Sequence, residues 1–404
     1  MPPAASSNAS PFASEAPPVP VDFAAAPQAF VLPDGVRYLD TASKGPRLAS
    51  ALAAGQAALA ASVAPWTLSF DAWREQIEQL RGLAAATLFE GDGDGLAMVP
   101  SAAYGLATAA RQLPLAAGEA VLLLDGQFPS NLLLWQQRCA ETGAQLAVVQ
   151  RGPQQDWTEA VLAALDAQPR VRIATLPHAY WRDGTLLDLD RIAARVHAAG
   201  AALVLDLSQS LGVLPARLAA WRPDFVVAVG HKWLLGPMGL AWLWAAPHWR
   251  AHGVPIEHHW QTRDPGADWH FPAEAAPPFR AGARRFDAGG VADPLRLAMA
   301  TAALRQLQQW EPARIAARLG ELGTAFEDEL QAQGAGDWIA PGHAPHLYAL
   351  RPPLPAMQAL LPWLQRTQVI CTHRHGALRI APYLQLSPEA MRGLAREMVA
   401  VARG

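Results

Sequence analysis

The feature that most narrows the fold of this chain is a series of short apolar runs, each ending in polar or small residues. They are Leu96–Val99, Ala120–Leu124, Leu146–Val149, Val171–Thr175, Ala202–Leu205, Phe225–Val229 and Leu240–Trp244. Amphipathic stretches separate several of them: Ala102–Gln112, Ser130–Glu141, Trp157–Ala167 and Leu189–Ala199. Continuous apolar strands alternating with helices predict parallel βαβ units with both sheet faces covered. The expected class is therefore α/β, with a large, mostly parallel sheet. Such sheets take ligands at the carboxyl ends of their strands. That draws attention to Ser101, Asp125–Phe128, His178–Asp183, Asp206–Ser210 and Gly230–Lys232.

After Gly282 the pattern changes. Long helices are expected over Leu295–Trp310 and Ile315–Gln333, short strands near His346–Leu350, Val369–Thr372 and Ala377–Ile380, and a closing helix over Pro388–Ala402. This predicts a smaller α+β unit. The Pro/Gly-rich stretch Asp264–Gly282 reads as the seam. The expected division is an N-terminal arm over 1–28, rich in Ala, Pro and Ser and read as flexible, a large domain over 29–282 and a small domain over 283–404. Residues 29–50 are candidates for packing on the small domain.

Composition excludes several classes. Lys+Arg is 32 and Asp+Glu 35, a net charge of −3, which argues against a generally basic nucleic-acid binder or an electrostatic membrane anchor. No apolar stretch approaches the ~20 residues of a membrane span. Two cysteines, Cys139 and Cys371, cannot build a disulfide framework or a four-cysteine zinc site. A cytoplasmic protein is the expectation.

Three features carry chemistry. Asp206 ends the run AALVLD, where a carboxylate needs a cationic or hydrogen-bonding partner. Lys232 follows a strand and is flanked by Trp233 and Leu234, a setting that desolvates an amine and makes it nucleophilic. In VPSAAYG a strand runs into a helix at Ser101–Tyr104, and the N–H groups of a helix start attract phosphate. A lysine for an imine, a carboxylate for a ring nitrogen and an anion cradle are the needs of pyridoxal 5'-phosphate. The carboxylate precedes the lysine by 26 positions, about one βαβ step.

At this point a family resemblance enters. The segment DLSQSLGVLPARLAAWRPDFVVAVGHKWLLGPMGLAWLW (Asp206–Trp244), with YLDTASKGP (Tyr38–Pro46) and LRIAP (Leu378–Pro382), resembles the class V aminotransferase group of fold-type I pyridoxal-phosphate enzymes. That group includes cysteine desulfurases, kynureninases and isopenicillin-N-epimerase-like proteins. The resemblance implies an enzyme acting on a small amino-acid substrate through an external aldimine, by transamination or by elimination at Cβ, C–S cleavage included. It implies that Lys232 carries the cofactor and moves the proton, and that Asp206 faces the pyridinium nitrogen. It places Gln209 near the ring oxygen, Phe128 on the ring face, and Ser101, Ala102, Ala103 and His231 around the phosphate. It gives Arg379 the substrate carboxylate, which suits a bidentate guanidinium. It implies a homodimer in which the loop GARRFDAGG (Gly282–Gly290) approaches the neighbouring site.

The pattern departs from the family in places. Ala102 and Ala103 stand where Thr or Ser is usual, Val229 where desulfurases carry Ser, Ala292 and Asp293 where Ser and Asn are frequent, and Tyr180 where Asn or His is common. Cys371 lies in an expected strand rather than on a mobile loop, so both cysteines read as small buried hydrophobes. The adjacent His258 and His259 diverge on an extended chain and do not suit a metal. Trp66, Trp181 and Trp260 are read as core, with an apolar pocket as the alternative. The competing function is a non-catalytic fold-type I binding or assembly module. A Rossmann dehydrogenase lacks its G-x-G-x-x-G.

Overall fold

The structure, a computed structural model, describes residues 23–152, 155–267 and 269–404. Most of the arm read at 1–28 lies outside the described residues. Its last part packs rather than waves free: Ala26 is buried and Phe23 lies against the core.

The centre is a seven-stranded sheet. Across it run Leu96–Val99, Ala241–Ala245, Phe225–Val229, Ala202–Asp206, Val171–Pro177, Ala120–Leu124 and Gln145–Val149. Helices Ala102–Gln112, Trp157–Ala167 and Leu189–Ala198 fall where the amphipathic pattern predicts, and Leu133–Thr142 starts three residues late. The delay has a cause: Pro129–Asn131 forms a separate single turn first. Asp156 and Asp188 cap their helices through side-chain oxygens, each supplying one of the partners a helix start lacks.

One strand breaks the parallel order. Ala241–Ala245 is antiparallel to both neighbours. The connection from Phe225–Val229 is a loop without a crossover helix, and a parallel return needs one. That loop, Gly230–Leu240, is pinned by Gly230 N–H to Leu240 O (3.0 Å) and Gly236 N–H to Gly230 O (2.8 Å). Leu235 within it is buried at φ +55°, a conformation that costs a branched residue energy and is held by its surroundings. The Arg47 guanidinium supplies part of that hold, donating to the carbonyls of Leu235 and Gly236.

The smaller unit has a three-stranded antiparallel sheet, Tyr348–Leu350, Ala377–Ile380 and Thr372–Arg374, under helices Pro312–Ala332, Leu354–Arg366 and Pro388–Arg403. Residues 37–41 join it: Arg37–Tyr38 pairs parallel with Val369–Ile370, and Asp40 bridges Ala381. Among the described residues, three helices longer than ten residues fall where the pattern raises no expectation. Ala49–Ala61 is Ala-rich with no polar face, and Leu354–Arg366 carries Pro362 inside it. The third is Phe70–Leu88.

Contacts continue across position 282. Arg81, in Phe70–Leu88, makes a two-pronged pair with Asp287 (3.2 and 2.7 Å) and donates to Leu96 O (2.6 Å). Asp287 also accepts Met98 N–H at 2.8 Å. Both partners are buried, so each charge is compensated where water cannot reach it. The expected boundary at 282 therefore cuts through contacts with the large sheet. The segment Gly282–Gly290 lies on strand Leu96–Val99, with Phe286 and Ala288 buried.

Candidate active site

The parallel strands deliver their carboxyl ends to one cavity of about 210 Å³. Asp206 reaches it from the end of Ala202–Asp206, and Lys232 from the Gly230–Leu240 loop. Ser101, Ala102 and Ala103 close one end, and Phe128, Gln209 and His231 also line it. The site residues read from the sequence thus share one cavity, except Arg379.

The Lys232 loop is held from outside as well. Gly45 N–H donates to His231 O at 2.8 Å. A Cβ at position 45 would stand 2.2 Å from the Lys232 carbonyl oxygen, so only glycine lets the YLDTASKGP segment lie this close. Burial pushes the Lys232 amine down to about 8; Arg379 pushes the same way, and Asp206 and Asp40 oppose both. Its Nζ stands 5.4 Å from the Phe128 ring centroid. Burial, followed by the charges of Lys232, Lys44 and Arg47, lowers His231 to about 4. Its imidazole is neutral near pH 7 and able to donate from one nitrogen.

Asp206 is oriented by Ser208 N–H, which donates to Oδ1 at 3.0 Å. Its other oxygen takes no hydrogen bond among the described residues. Gln209 is more constrained than expected. Its amide donates to Ala42 O (3.0 Å) and accepts from Trp233 Nε1 (2.9 Å), leaving one N–H for a ligand.

At the opposite end, Ser101 caps helix Ala102–Gln112, its Oγ accepting from Tyr104 N–H at 3.1 Å. That leaves the N–H groups of Ala102 and Ala103 without helical partners at the positive end of the helix. Backbone donors need no side chain, so Ala at both positions is no obstacle. Gln127 lines the same cavity, and its buried Nε2 has no hydrogen-bond partner among the described residues. A buried amide donor in a cavity wall points to a polar ligand. It was missed as a site residue; the only signal was its place after the strand Ala120–Leu124.

Arg379 departs from expectation. It is buried and pairs with Asp40 (3.0 Å), with further bonds to Ser43 Oγ (2.6 Å) and Trp181 O (3.2 Å). It lines a neighbouring cavity rather than the Lys232 cavity. Its Nε is buried and unpartnered. Asp40 comes from YLDTASKGP, the segment that carried part of the resemblance.

Other candidates resolve differently. Asp293 caps helix Pro294–Trp310, accepting from Leu295 and Arg296 N–H. Tyr180 donates its hydroxyl to Asp125 O and Gly126 O, outside the Lys232 cavity. The Cys371 thiol is pushed up to about 12 by burial and then by Asp40, so it is a thiol and not a nucleophilic thiolate near neutral pH. Cys139 is buried in the core. His259 bonds Asp287 O and His258 lies beside Arg263; among the described residues no cluster suits a metal. Trp181 lines the site, Trp66 is 80% exposed and Trp260 39%, so none of the three is simple core.

Residues 38–349 match the family model "Aminotransferase class-V". An uncharacterized aminotransferase, YcbU of Bacillus subtilis, is 26% identical over 81% of this chain and 85% of its own length. The kynureninase of Pseudomonas fluorescens is 28% identical over 54% of each chain. A mutant of C-DES, solved with glycine covalently linked to its pyridoxal-phosphate cofactor, superposes with a TM-score of 0.78 at 20% identity, covering 91% of this chain and 97% of that one. The cysteine desulfurase of Thermococcus onnurineus gives 0.77 at 15% identity, over 93% and 97%. These structures share the fold-type I architecture.

Proposed function

The chain belongs to the class-V aminotransferase family of pyridoxal-phosphate enzymes, and from that premise we propose that Lys232 is its covalent anchor and moves a proton at the α-carbon of an amino acid. The observation that carries this is the convergence of a desolvated lysine, an oriented carboxylate and an open helix start on one cavity.

The residues present fit the cofactor. Asp206 keeps a free oxygen for a protonated ring nitrogen. Ala102 and Ala103 offer N–H donors to the phosphate, neutral His231 can add one, and the unspent Gln127 Nε2 another. When bound, pyridoxal phosphate supplies an aldehyde carbon for imine chemistry and a ring that takes up an electron pair from the α-carbon. The rest falls to the chain. With its value at about 8, roughly a tenth of Lys232 is uncharged at neutral pH, against well under a thousandth of an ordinary lysine. That fraction makes it both a nucleophile and a base. Phe128 gives the cavity an apolar face.

Transamination and elimination at Cβ both begin with that proton transfer. A protein-bound persulfide is disfavoured as a product, because Cys371 holds its proton. Borohydride reduction of the purified protein is expected to fix the cofactor on Lys232, as peptide mass mapping reads. Incubation with L-amino acids, with keto acid, ammonia, sulfide and alanine all assayed, separates the routes. Recovery of the reduced cofactor on another residue would refute the assignment of Lys232.

We also infer a homodimer. Helices Ala49–Ala61, Phe70–Leu88 and Pro294–Trp310 frame an apolar cavity of about 840 Å³. Beside it Leu59, Val63 and Trp66 are 63%, 81% and 80% exposed, a patch that asks to be covered. Light scattering at micromolar concentration is expected to report twice the 43.2 kDa chain mass; a monomer would overturn this reading.

A further inference from the structure

Beside the Lys232 cavity, and sharing the wall residue Trp181 with it, lies a second cavity of about 230 Å³. Five arginines line it, Arg151, Arg182, Arg351, Arg374 and Arg379, against two carboxylates, Asp125 and Asp183. Two of the arginines are matched: Arg151 pairs with Asp183 at 3.2 Å and Arg379 with Asp40 at 3.0 Å. Arg182, Arg351 and Arg374 ion-pair with nothing among the described residues, and only Asp125 remains to offset them. In a chain whose net charge is −3, this is a local reversal of sign. A concave cluster of cations raises the local concentration of anions.

The cluster is also partly built in advance. The Arg182 guanidinium lies over the Trp181 ring at 5.4 Å, and Arg151 over Trp157 at 5.0 Å. A Cβ at position 126 would stand 2.4 Å from the Arg182 guanidinium carbon, so Gly126 in DGQF makes room for it. Arg182 Nε and Arg379 Nε are buried without hydrogen-bond partners among the described residues. A stacked guanidinium keeps its in-plane N–H fork for a planar or tetrahedral oxyanion, and its orientation is already fixed. Buried unspent donors are costly unless a ligand takes them.

We propose that this second cavity receives the substrate's side chain, and that the side chain ends in an anionic group held by Arg182 and Arg374. Carboxylate, sulfur oxyanion and phosphate share that chemistry. The inference rests on the Lys232 cavity as the place where the amino acid reacts. Trp181 is the wall the two cavities share, so a side chain passing it into the second leaves the α-carbon beside Lys232.

The test uses matched pairs on the holoenzyme: L-aspartate with L-asparagine, L-glutamate with L-glutamine, L-cysteate with L-cysteine, and O-phospho-L-serine with L-serine. Half-saturation is read from the change in cofactor absorbance. At least one anionic member is expected to bind ten times or more tighter than its neutral mate, and which pair responds identifies the oxyanion. In Arg374→Gln, at an exposed position, that ratio is expected to fall to threefold or less, and in Arg182→Gln likewise. Equal or better binding of every neutral member, or a ratio unchanged in both variants, overturns the proposal. A second measurement separates it from the cofactor reading. Calorimetric titration of cofactor-free protein with glutarate against butyrate is expected to favour the dicarboxylate, and Arg374→Gln to erase the preference. No preference there overturns the vestibule, whatever the state of Lys232.

Discussion

Replacing Lys232 by Met in the cofactor-free protein should raise its stability near neutral pH, and the gain should vanish as the pH rises. The amine sits at about 8 in the fold against an ordinary 10.5. At about 1.4 kcal/mol for each tenfold change in proton affinity, keeping it charged costs the folded state about 3 kcal/mol. That is an upper value, because the side chain keeps part of its surface open to the cavity. The sign follows from proton counting. Between about 8 and 10.5 the unfolded chain binds more protons than the folded one, so the parent's stability rises through that window. Below it the penalty is complete; above it both states are uncharged and the penalty is gone. For 404 residues, an unfolding entropy of about 2.1 cal/mol/K per residue converts 3 kcal/mol into a Tm gap of about 4 °C. Scanning calorimetry of both proteins from about pH 7 to about pH 10.5 reads the gap directly. A constant part, from trading a polar for an apolar side chain, is expected; the pH-dependent part is the test. A gap that stays flat across the window, or widens with pH, would refute the claim that burial controls this lysine.

Two further outcomes follow from the same geometry. Ser101→Ala removes the oxygen that caps helix Ala102–Gln112 and should cost about 1 kcal/mol in urea unfolding of the cofactor-free protein; an unchanged midpoint would mean the hydroxyl does not cap. Asp40→Asn removes a negative charge that raises both Cys371 and Lys232. In a Cys139→Ala background, the pH at which Cys371 begins to react with an alkylating reagent should therefore move down from its value near 12, and an unmoved profile would show that burial acts without Asp40.

Much of the fold could be read along the chain because its signals are local. Strands Leu96–Val99, Ala120–Leu124 and Phe225–Val229 and helix Trp157–Ala167 begin and end where apolar runs and periodicity say they do. Lys232 and Asp206 could be found for a related reason: a charged side chain directly after a buried strand stands out against its neighbours, and in a parallel sheet that position faces a ligand. Helix Ala49–Ala61 shows the limit, since an Ala-rich segment without a polar face has no period to detect.

Pairings across long separations belong to the tertiary structure. Asp40 and Arg379 meet across 339 positions, and Arg81 meets Asp287 across 206. The second cavity draws Arg151, Arg182 and Arg351 from three loops and Arg374 and Arg379 from two strands of the smaller sheet, and a chain whose total charge is slightly negative gives no hint of it. What the sequence by itself determined was which segments fold into the sheet and which two groups its strand ends present, because backbone preference and burial act over a few residues. What only the tertiary structure decided was which charge each group meets, because Coulomb interactions depend on distance through space and on how much water the packing has expelled.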